Sequence, residues 1–145
     1  MTEADSLRDV ERELGVLLRR VRRQSAANAR AIHPDLQPTA YSVLLYVDEQ
    51  ETARAVHIVD DLGIDKGAVS RHVRQLERLG LLERSTDPSD GRAQTLVVSD
   101  LGRRRIDALK AQRRSVFAGR LASWTAPELA AFARTLNRYN ASLEG

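Results

Sequence analysis

Basic side chains recur at helical spacing in the middle of the chain, between Asp65 and Leu79. At 100° per residue, Arg71, Arg74 and Arg78 fall within one narrow sector of a helix. The opposite sector is apolar and consists of Val69, Val73 and Leu76. Such a helix suits the major groove of duplex DNA, because guanidinium groups can donate hydrogen bonds to guanine edges and to phosphates.

The first turn of this helix is made of small and polar residues. Gly67 and Ala68 have little or no side chain, so the helix start can approach the bases closely. Ser70 and Arg71 can donate hydrogen bonds to base edges, and Lys66 can reach a phosphate. The residues of this helix that we expect to contact DNA are Lys66, Gly67, Ser70, Arg71, Arg74 and Arg78.

A second basic contact is predicted directly after this helix. Residues 81–84 and 95–98 suit two short strands, and the run DPSDG at 87–91 favours a hairpin tip between them. Arg92 follows this tip and can reach a neighbouring minor groove, whose narrow form attracts arginine. A basic helix alone would equally fit a solvated surface, but the helix and the hairpin together favour DNA binding.

Capping and turn residues predict where the neighbouring helices begin and end. A second helix starts at Pro38 or Thr39, because proline is tolerated in a first helical turn. Its buried face consists of Ala40, Val43, Leu44 and Val47. A short helix over 56–62 ends at Gly63, and Asp65 can cap the basic helix by accepting backbone N–H bonds.

Long amphipathic helices are predicted at both ends of the chain, because apolar residues follow the three-four alternation that lines one side of a helix. The first stripe consists of Leu7, Val10, Leu14, Leu17 and Val21, and the last consists of Leu129, Phe132, Leu136, Tyr139 and Leu143. Thr125 and Glu128 match a capping box at the start of the last helix, where Trp124 can pack against Leu129. Pairing in a homodimer would cover both stripes.

One more long helix is expected from Ser99, as the N-cap, to about Ser123. The apolar residues that we expect it to bury are Leu101, Ile106, Leu109, Val116, Phe117 and Leu121. Together with the elements over 56–98, this order predicts a mainly α fold with a small β-hairpin wing. The fold class is a winged helix-turn-helix with N- and C-terminal dimerisation helices.

The expected domain organisation follows from this order of elements. Residues 1–35 and 100–145 would form a helical dimerisation region, and residues 36–99 would form the DNA-binding region. Because the dimerisation region comes from both ends of the chain, the two regions would form one intertwined domain.

Two stretches of the sequence, GIDKGAVSRHVRQLERLGLLER at 63–84 and DPSDGRAQTLVVSDLG at 87–102, resemble the MarR family of bacterial transcription regulators. More loosely, LQPTAYSVLLYV at 36–47 is similar to the family's second helix. The resemblance implies a dimer interface made by the terminal helices. It also implies that Arg92 enters the minor groove and that Asp90 orients it. The function it implies is that of a repressor that binds a pseudo-palindromic operator as a homodimer.

Family members often release DNA when a small aromatic acid or another effector binds between the dimerisation helices and the DNA-binding lobe. By this resemblance, Tyr41 stands where the family often has an aromatic residue, and Arg30 and His33 nearby can pair with a carboxylate. These three residues are the candidate site for a small aromatic or anionic effector. The alternative is that Tyr41 packs in the core and that His33 is solvated.

Other classes of function find less support in the sequence. An enzyme would need a nucleophile with its base, paired carboxylates or a metal cluster, but His33, His57 and His72 are scattered. We therefore expect no enzymatic activity and no cofactor. A metal-sensing regulator is the stronger rival, since His57 lies at helical spacing from Asp60 and Asp61. A purely structural dimer would explain the terminal stripes but not the basic helix with its wing.

Composition limits the chemistry and the location of the protein. The 145 residues contain no cysteine, which excludes disulfides and thiol chemistry. The net charge is only +3, so the placement of the arginines rather than the total charge indicates DNA. No stretch approaches the roughly 20 apolar residues of a membrane span, and residues 1–7 form no apolar signal core. We therefore expect a cytoplasmic protein without a membrane partner.

Overall fold

The computed structural model describes residues 1–87 and 89–144, with the backbone alone at Asp87, Arg92 and Ala93. The elements in chain order are α1 Glu3–Ile32, α2 Pro38–Gln50, α3 Ala55–Leu62, α4 Lys66–Arg78, β1 Leu82–Asp87, β2 Asp90–Val98, α5 Asp100–Arg120 and α6 Ala126–Ser142. These elements confirm the predicted mainly α fold with one small hairpin. The chain divides into two compact units, Met1–Leu109 and Lys110–Gly145. Among the described helices, none combines the length and the apolarity needed to cross a membrane.

The core of the first unit is built around α2. Pro38 lies in the first turn of this helix, where its missing N–H costs no helical hydrogen bond. The predicted buried face is confirmed, and its members Ala40, Val43, Leu44 and Val47 are all 0% exposed. Ile58 from α3, Leu81 and Ile106 from α5 complete the core, with at most 1% of each exposed.

Turn and cap residues separate α4 from its neighbours as the sequence predicts. Gly63 follows α3 with a left-handed φ of 62°, a conformation that favours glycine. Asp65 caps α4, because its side chain accepts a hydrogen bond from the N–H of Ala68 at 3.1 Å. Gly80 follows α4 with a φ of 74°. Both ends of the basic helix are therefore set by local signals.

β1 and β2 form the predicted antiparallel hairpin. Both strands are longer than the predicted segments 81–84 and 95–98, because β1 reaches Asp87 and β2 already begins at Asp90. The predicted strands are too short because the prediction ends them where polar, turn-favouring side chains begin. Strand pairing uses backbone N–H and C=O groups, and polar residues have these groups too. The predicted turn residue Pro88 lies outside the described residues.

The base of the hairpin is held to the core. Leu82, Leu96 and Val98 are at most 9% exposed. The ladder pairs Leu82 with Val98 and Arg84 with Leu96, so these side chains share one side of the hairpin. Ala53 adds an isolated bridge to Leu96, with N···O distances of 3.0 and 2.7 Å. No pattern in the sequence predicts this bridge, which joins the segment before α3 to the wing.

The start of α5 is tied to the turn after α4. Ser99, the predicted N-cap, accepts a hydrogen bond from the N–H of Gly102 at 3.0 Å and donates one to the carbonyl of Gly80. A Cβ atom on Gly102 would lie 2.5 Å from the carbonyl oxygen of Leu81. Glycine at this position therefore allows α5 to pass directly over the backbone of the turn.

The second half of α5 differs from the sequence prediction. The helix ends at Arg120 instead of about Ser123, and a glycine directly precedes this end. Val116 and Phe117 are 44% and 64% exposed, and Leu121 is partly exposed. Their predicted burial is wrong for the single chain. The second unit, which contains only the end of α5 and α6, is too small to bury all of its apolar side chains. The prediction holds for Ile106 and Leu109, while Leu101 is partly exposed.

The apolar stripes of α1 and α6 are exposed in the single chain. On α1, Leu7, Val10, Leu17 and Val21 are 48–59% exposed, and on α6 and its C-cap, Leu129, Phe132, Tyr139 and Leu143 are 36–65% exposed. Leu14 and Leu136 of the two stripes are partly exposed. The capping box of Thr125 and Glu128 is confirmed, and its hydrogen bonds lower the pKa of Glu128. Trp124 packs against Phe132 with ring centroids 5.4 Å apart, while its predicted contact with Leu129 stays a prediction.

Two glycines of α5 provide a matched test of the contact between α5 and the turn. Gly102→Ala should lower the free energy of unfolding by roughly 1–3 kcal/mol, since its Cβ would meet a backbone oxygen. Gly119→Ala meets no atom within 4 Å and should instead raise that free energy by up to about 1 kcal/mol. Urea unfolding at a fixed protein concentration measures both changes. Equal effects of the two substitutions would contradict the close approach at Gly102.

Candidate nucleic-acid interface

The two sides of α4 differ as the sequence predicts. Val69, Val73 and Leu76 are at most 2% exposed and lie in the core. The other side consists of the exposed residues Lys66, Gly67, Arg71, Arg74 and Arg78 and the partly exposed Ser70. The structure therefore brings the six predicted α4 residues to one continuous surface. We call this surface the recognition face.

Gly67 leaves space for two neighbouring side chains at the start of the recognition face. A Cβ atom on Gly67 would lie 3.0 Å from Oδ2 of Asp65 and 3.5 Å from Nη1 of Arg71. The carboxylate of Asp65 is engaged with the backbone N–H of Ala68. The guanidinium of Arg71 consequently lies beside the first turn of α4, the part of a recognition helix that reaches base edges.

His72 adds little charge to α4 near neutral pH. Burial lowers the pKa of His72, and the neighbouring charge of Arg71 lowers it further. The imidazole is therefore mostly neutral at pH 7. The positive charge of the recognition face comes instead from Lys66 and its three arginines.

The predicted wing residues Asp90 and Arg92 belong to β2, at the outer end of the hairpin. The ladder pairs Thr86 with Gln94 but Asp87 with Asp90, so its register shifts in between. Asp90 is exposed, and the side chain of Arg92 lies outside the described residues. The predicted contact between Asp90 and Arg92 therefore stays a prediction.

An arginine of β1 joins the wing to α4, which we call the recognition helix because it carries the recognition face. Nε of Arg84 lies 2.5 Å from Oε1 of Glu77 on α4, which makes an ion pair. Nη1 of the same arginine donates a hydrogen bond to Oε1 of Gln94 on β2 at 3.1 Å. One side chain of β1 thus contacts both α4 and β2.

The candidate effector residues lie around the junction of α1 and α2. Tyr41 is 4% exposed and packs in the core, which agrees with the alternative stated for it, and Arg30 is exposed. His33 is the C-cap of α1, and its Nδ1 accepts a hydrogen bond from the N–H of Asp35 at 3.1 Å. The carbonyl of Asp35 in turn accepts a hydrogen bond from Gln75 of α4 at 3.0 Å. This junction is therefore linked to the flank of the recognition helix.

The alternative of a metal site around His57 finds no ligand set. His57 and Asp60 are exposed. The carboxylate of Asp61 accepts a hydrogen bond from the hydroxyl of Tyr46, which raises the pKa of Tyr46. Within residues 1–87 and 89–144, no three His, Asp or Glu side chains lie close enough together to hold a metal ion. Asp61 instead links α3 to α2.

Comparison with known proteins shows which family the central part of the chain resembles. The family model of the MarR family matches residues 35–93, which include α2, α3, α4, β1 and the tip of the wing. Over 131 residues, the chain is 28% identical to YxaD of Bacillus subtilis, an uncharacterized HTH-type transcriptional regulator, with 90% of each chain covered. Residues 35–93 of the chain therefore resemble the MarR family of transcription regulators.

Solved structures share the fold of this chain over nearly its whole length. The MarR family transcription regulator SP03579 matches with a TM-score of 0.78 and 24% identity, covering 98% of this chain and 95% of that one. RV1404 of Mycobacterium tuberculosis matches with a TM-score of 0.79 and 18% identity, covering 97% and 94%. A MarR family regulator of Listeria monocytogenes in complex with 26mer DNA matches at 0.70 and 20%, covering 91% and 87%. At these identities, the likeness shows the winged-helix fold.

Three polar residues that hold α4 in place are not predicted from the sequence, namely Gln75, Glu77 and Arg84. At 100° per residue, Gln75 and Glu77 fall on opposite borders between the apolar and basic sides of α4. Both are partly buried, and each contacts a different neighbouring element. Their position on the borders of an amphipathic helix could have indicated them from the sequence. No sequence pattern indicates their partners, Asp35 and Arg84.

Proposed function

We propose that this chain is a transcription regulator of the MarR family, which binds a pseudo-palindromic operator in double-stranded DNA as a homodimer and represses transcription there. The observation that carries the proposal is the recognition face of α4, which is basic and exposed while the other side of the helix is buried. A helix held in this way can enter the major groove without leaving the core. A dimer on its operator excludes other proteins from the same DNA, which supports repression.

The contacts with DNA divide by the kind of group that each side chain reaches. Ser70 and Arg71, near the start of α4, read base edges in the major groove. Arg74, Arg78 and Lys66 hold phosphates, which fixes the register of the helix without reading the sequence. In the wing, Arg92 enters the minor groove and Asp90 orients it.

Two arginines of the recognition face test this division. Arg71→Ala should weaken the sequence preference at one base pair. It should also reduce the binding free energy for the preferred duplex by about 1–3 kcal/mol. Arg74→Ala should weaken binding to all duplexes alike and reduce the salt slope by about one unit, because it removes one phosphate contact. Affinities for preferred and scrambled duplexes over a salt series measure both effects.

Arg8→Ala, at an exposed arginine in the first turns of α1, is the matched control and should leave binding unchanged. Equal losses of sequence preference from Arg71→Ala and Arg74→Ala would refute the division. If the wild-type protein shows no salt-dependent binding to any duplex, the proposed function is contradicted and a purely structural dimer is favoured.

The homodimer is supported by the exposed stripes at both ends of the chain. Residues 1–35 and 100–145 would supply its interface, with residues 36–99 reading DNA. Soluble monomers rarely leave such long apolar stripes open to water, and burial against a second copy covers them symmetrically. A two-fold dimer presents two recognition faces, which is why the operator should be pseudo-palindromic.

A substitution on the stripe of α1 tests the dimer. Leu17→Glu places a charge in the proposed interface and should convert the dimer to monomer, as measured by sedimentation at micromolar concentration. Arg19→Glu is the matched control, since Arg19 is exposed and lies about 160° round the helix from Leu17. It should leave the dimer intact. A wild-type protein that sediments as a clean monomer would contradict the proposal.

Release from DNA by a small aromatic or anionic effector is the last part of the proposed function. Arg30 and His33 lie three residues apart at the end of α1, where both can face a carboxylate, and Tyr41 follows in α2. The hydrogen bond from Gln75 to Asp35 supports this part of the proposal, because the N–H of Asp35 is itself hydrogen-bonded to His33, so His33 is connected to the recognition helix. A ligand that moves this junction would therefore disturb α4.

A further inference from the structure

The contact of Arg84 with Glu77 differs from an ordinary surface ion pair. Oε1 of Glu77 is shielded from solvent and has no hydrogen bond among the described residues. Nε of Arg84, 2.5 Å away, therefore supplies the charge that compensates it. A buried carboxylate oxygen is costly without such a partner, so the two side chains favour one relative position of α4 and β1.

Arg84 lies on the same side of the hairpin as the buried apolar residues at its base. Leu82, Leu96 and Val98 anchor that base in the core. Arg84 is paired with Leu96 in the ladder, and Gln94 is the next residue of β2 on the same side. The hydrogen bond from Arg84 to Gln94 at 3.1 Å ties the outer part of β2 to this contact as well. Arg84 thus holds the hairpin to α4 at the point where apolar packing ends.

We propose that Arg84 is a positioning residue that sets the angle of the wing against the recognition helix, so that α4 and Arg92 engage adjacent grooves together. This inference rests on the proposed function, in which the helix and the wing both touch DNA. Arg84 acts through the wing. Without its link to Glu77, the outer hairpin would sample other angles, and binding would lose the contribution of the wing while the contacts of α4 remain.

Removal of the Glu77 charge separates positioning from simple electrostatics. If Glu77 acted only through its charge, Glu77→Gln would remove repulsion from phosphates and tighten binding. Positioning predicts the opposite, about a tenfold loss of affinity, because the ion pair with Arg84 is gone. Glu83→Gln is the matched control, since Glu83 has an exposed carboxylate and directly precedes Arg84 in β1. It should leave binding unchanged or slightly tighter.

A double-mutant cycle with the wing gives the decisive test. The probe is a 26-base-pair duplex that carries a tight-binding site selected with the wild-type protein. Arg84→Ala should weaken binding about tenfold in the wild-type background, but less than about twofold in the Arg92→Ala background, where the wing contact is already lost. Hydroxyl-radical footprints of Arg84→Ala should lose the flanking minor-groove protection and keep the central protection. Circular dichroism confirms that each variant is folded, and Arg84→Gln replaces Arg84→Ala if the latter is not.

The possible results separate this inference from the proposed function. If Arg92→Ala alone leaves the affinity unchanged, the wing contact of the proposed function is wrong, and the inference falls with it. If Arg92→Ala weakens binding but Arg84→Ala costs the same in both backgrounds, Arg84 does not act through the wing and the inference alone is overturned. Tighter binding by Glu77→Gln would overturn it as well.

Discussion

The arrangement of the winged helix-turn-helix depends on the burial of one side of α4. Val69, Val73 and Leu76 lie in the core, against which α2 and α3 also pack. Each such side chain stabilises the fold by roughly 1.5–3 kcal/mol when it is removed from water, whereas arginine keeps its charge hydrated at the surface. Only one rotation of the helix about its axis satisfies both requirements. The recognition face is therefore held outward by the core beneath it.

The end of α4 then sets the positions of the elements that follow. Leu81 donates its N–H to the carbonyl of Leu76, and Ser99 donates its hydroxyl to the carbonyl of Gly80. Gly102 lets α5 cross the backbone of the same turn. The base of the wing and the first turns of α5 thus meet at one place. A displacement of α4 along its axis would therefore move both the base of the wing and the first turns of α5.

Local signals in the sequence predict most of the elements, because caps and turns act over a few residues. Gly63 and Asp65 separate the helices as expected, and the two sides of α4 follow directly from helical periodicity. The rest depends on residues that meet only after folding. No spacing rule brings Arg84 of a strand to Glu77 of a helix, and helical periodicity does not show that Phe117 is exposed in the single chain. The candidate site was therefore predictable along α4 but not where α4 contacts the wing.

The central claim is that two recognition faces, one from each subunit, read DNA together. Selection of bound duplexes from a random-sequence pool by the full-length wild-type protein tests it most directly. The predicted result is an enriched inverted repeat whose half-sites have centres about one helical turn, or roughly 10 base pairs, apart. The claim would be contradicted by a pool without any enriched sequence, or by an enriched site that lacks two-fold symmetry.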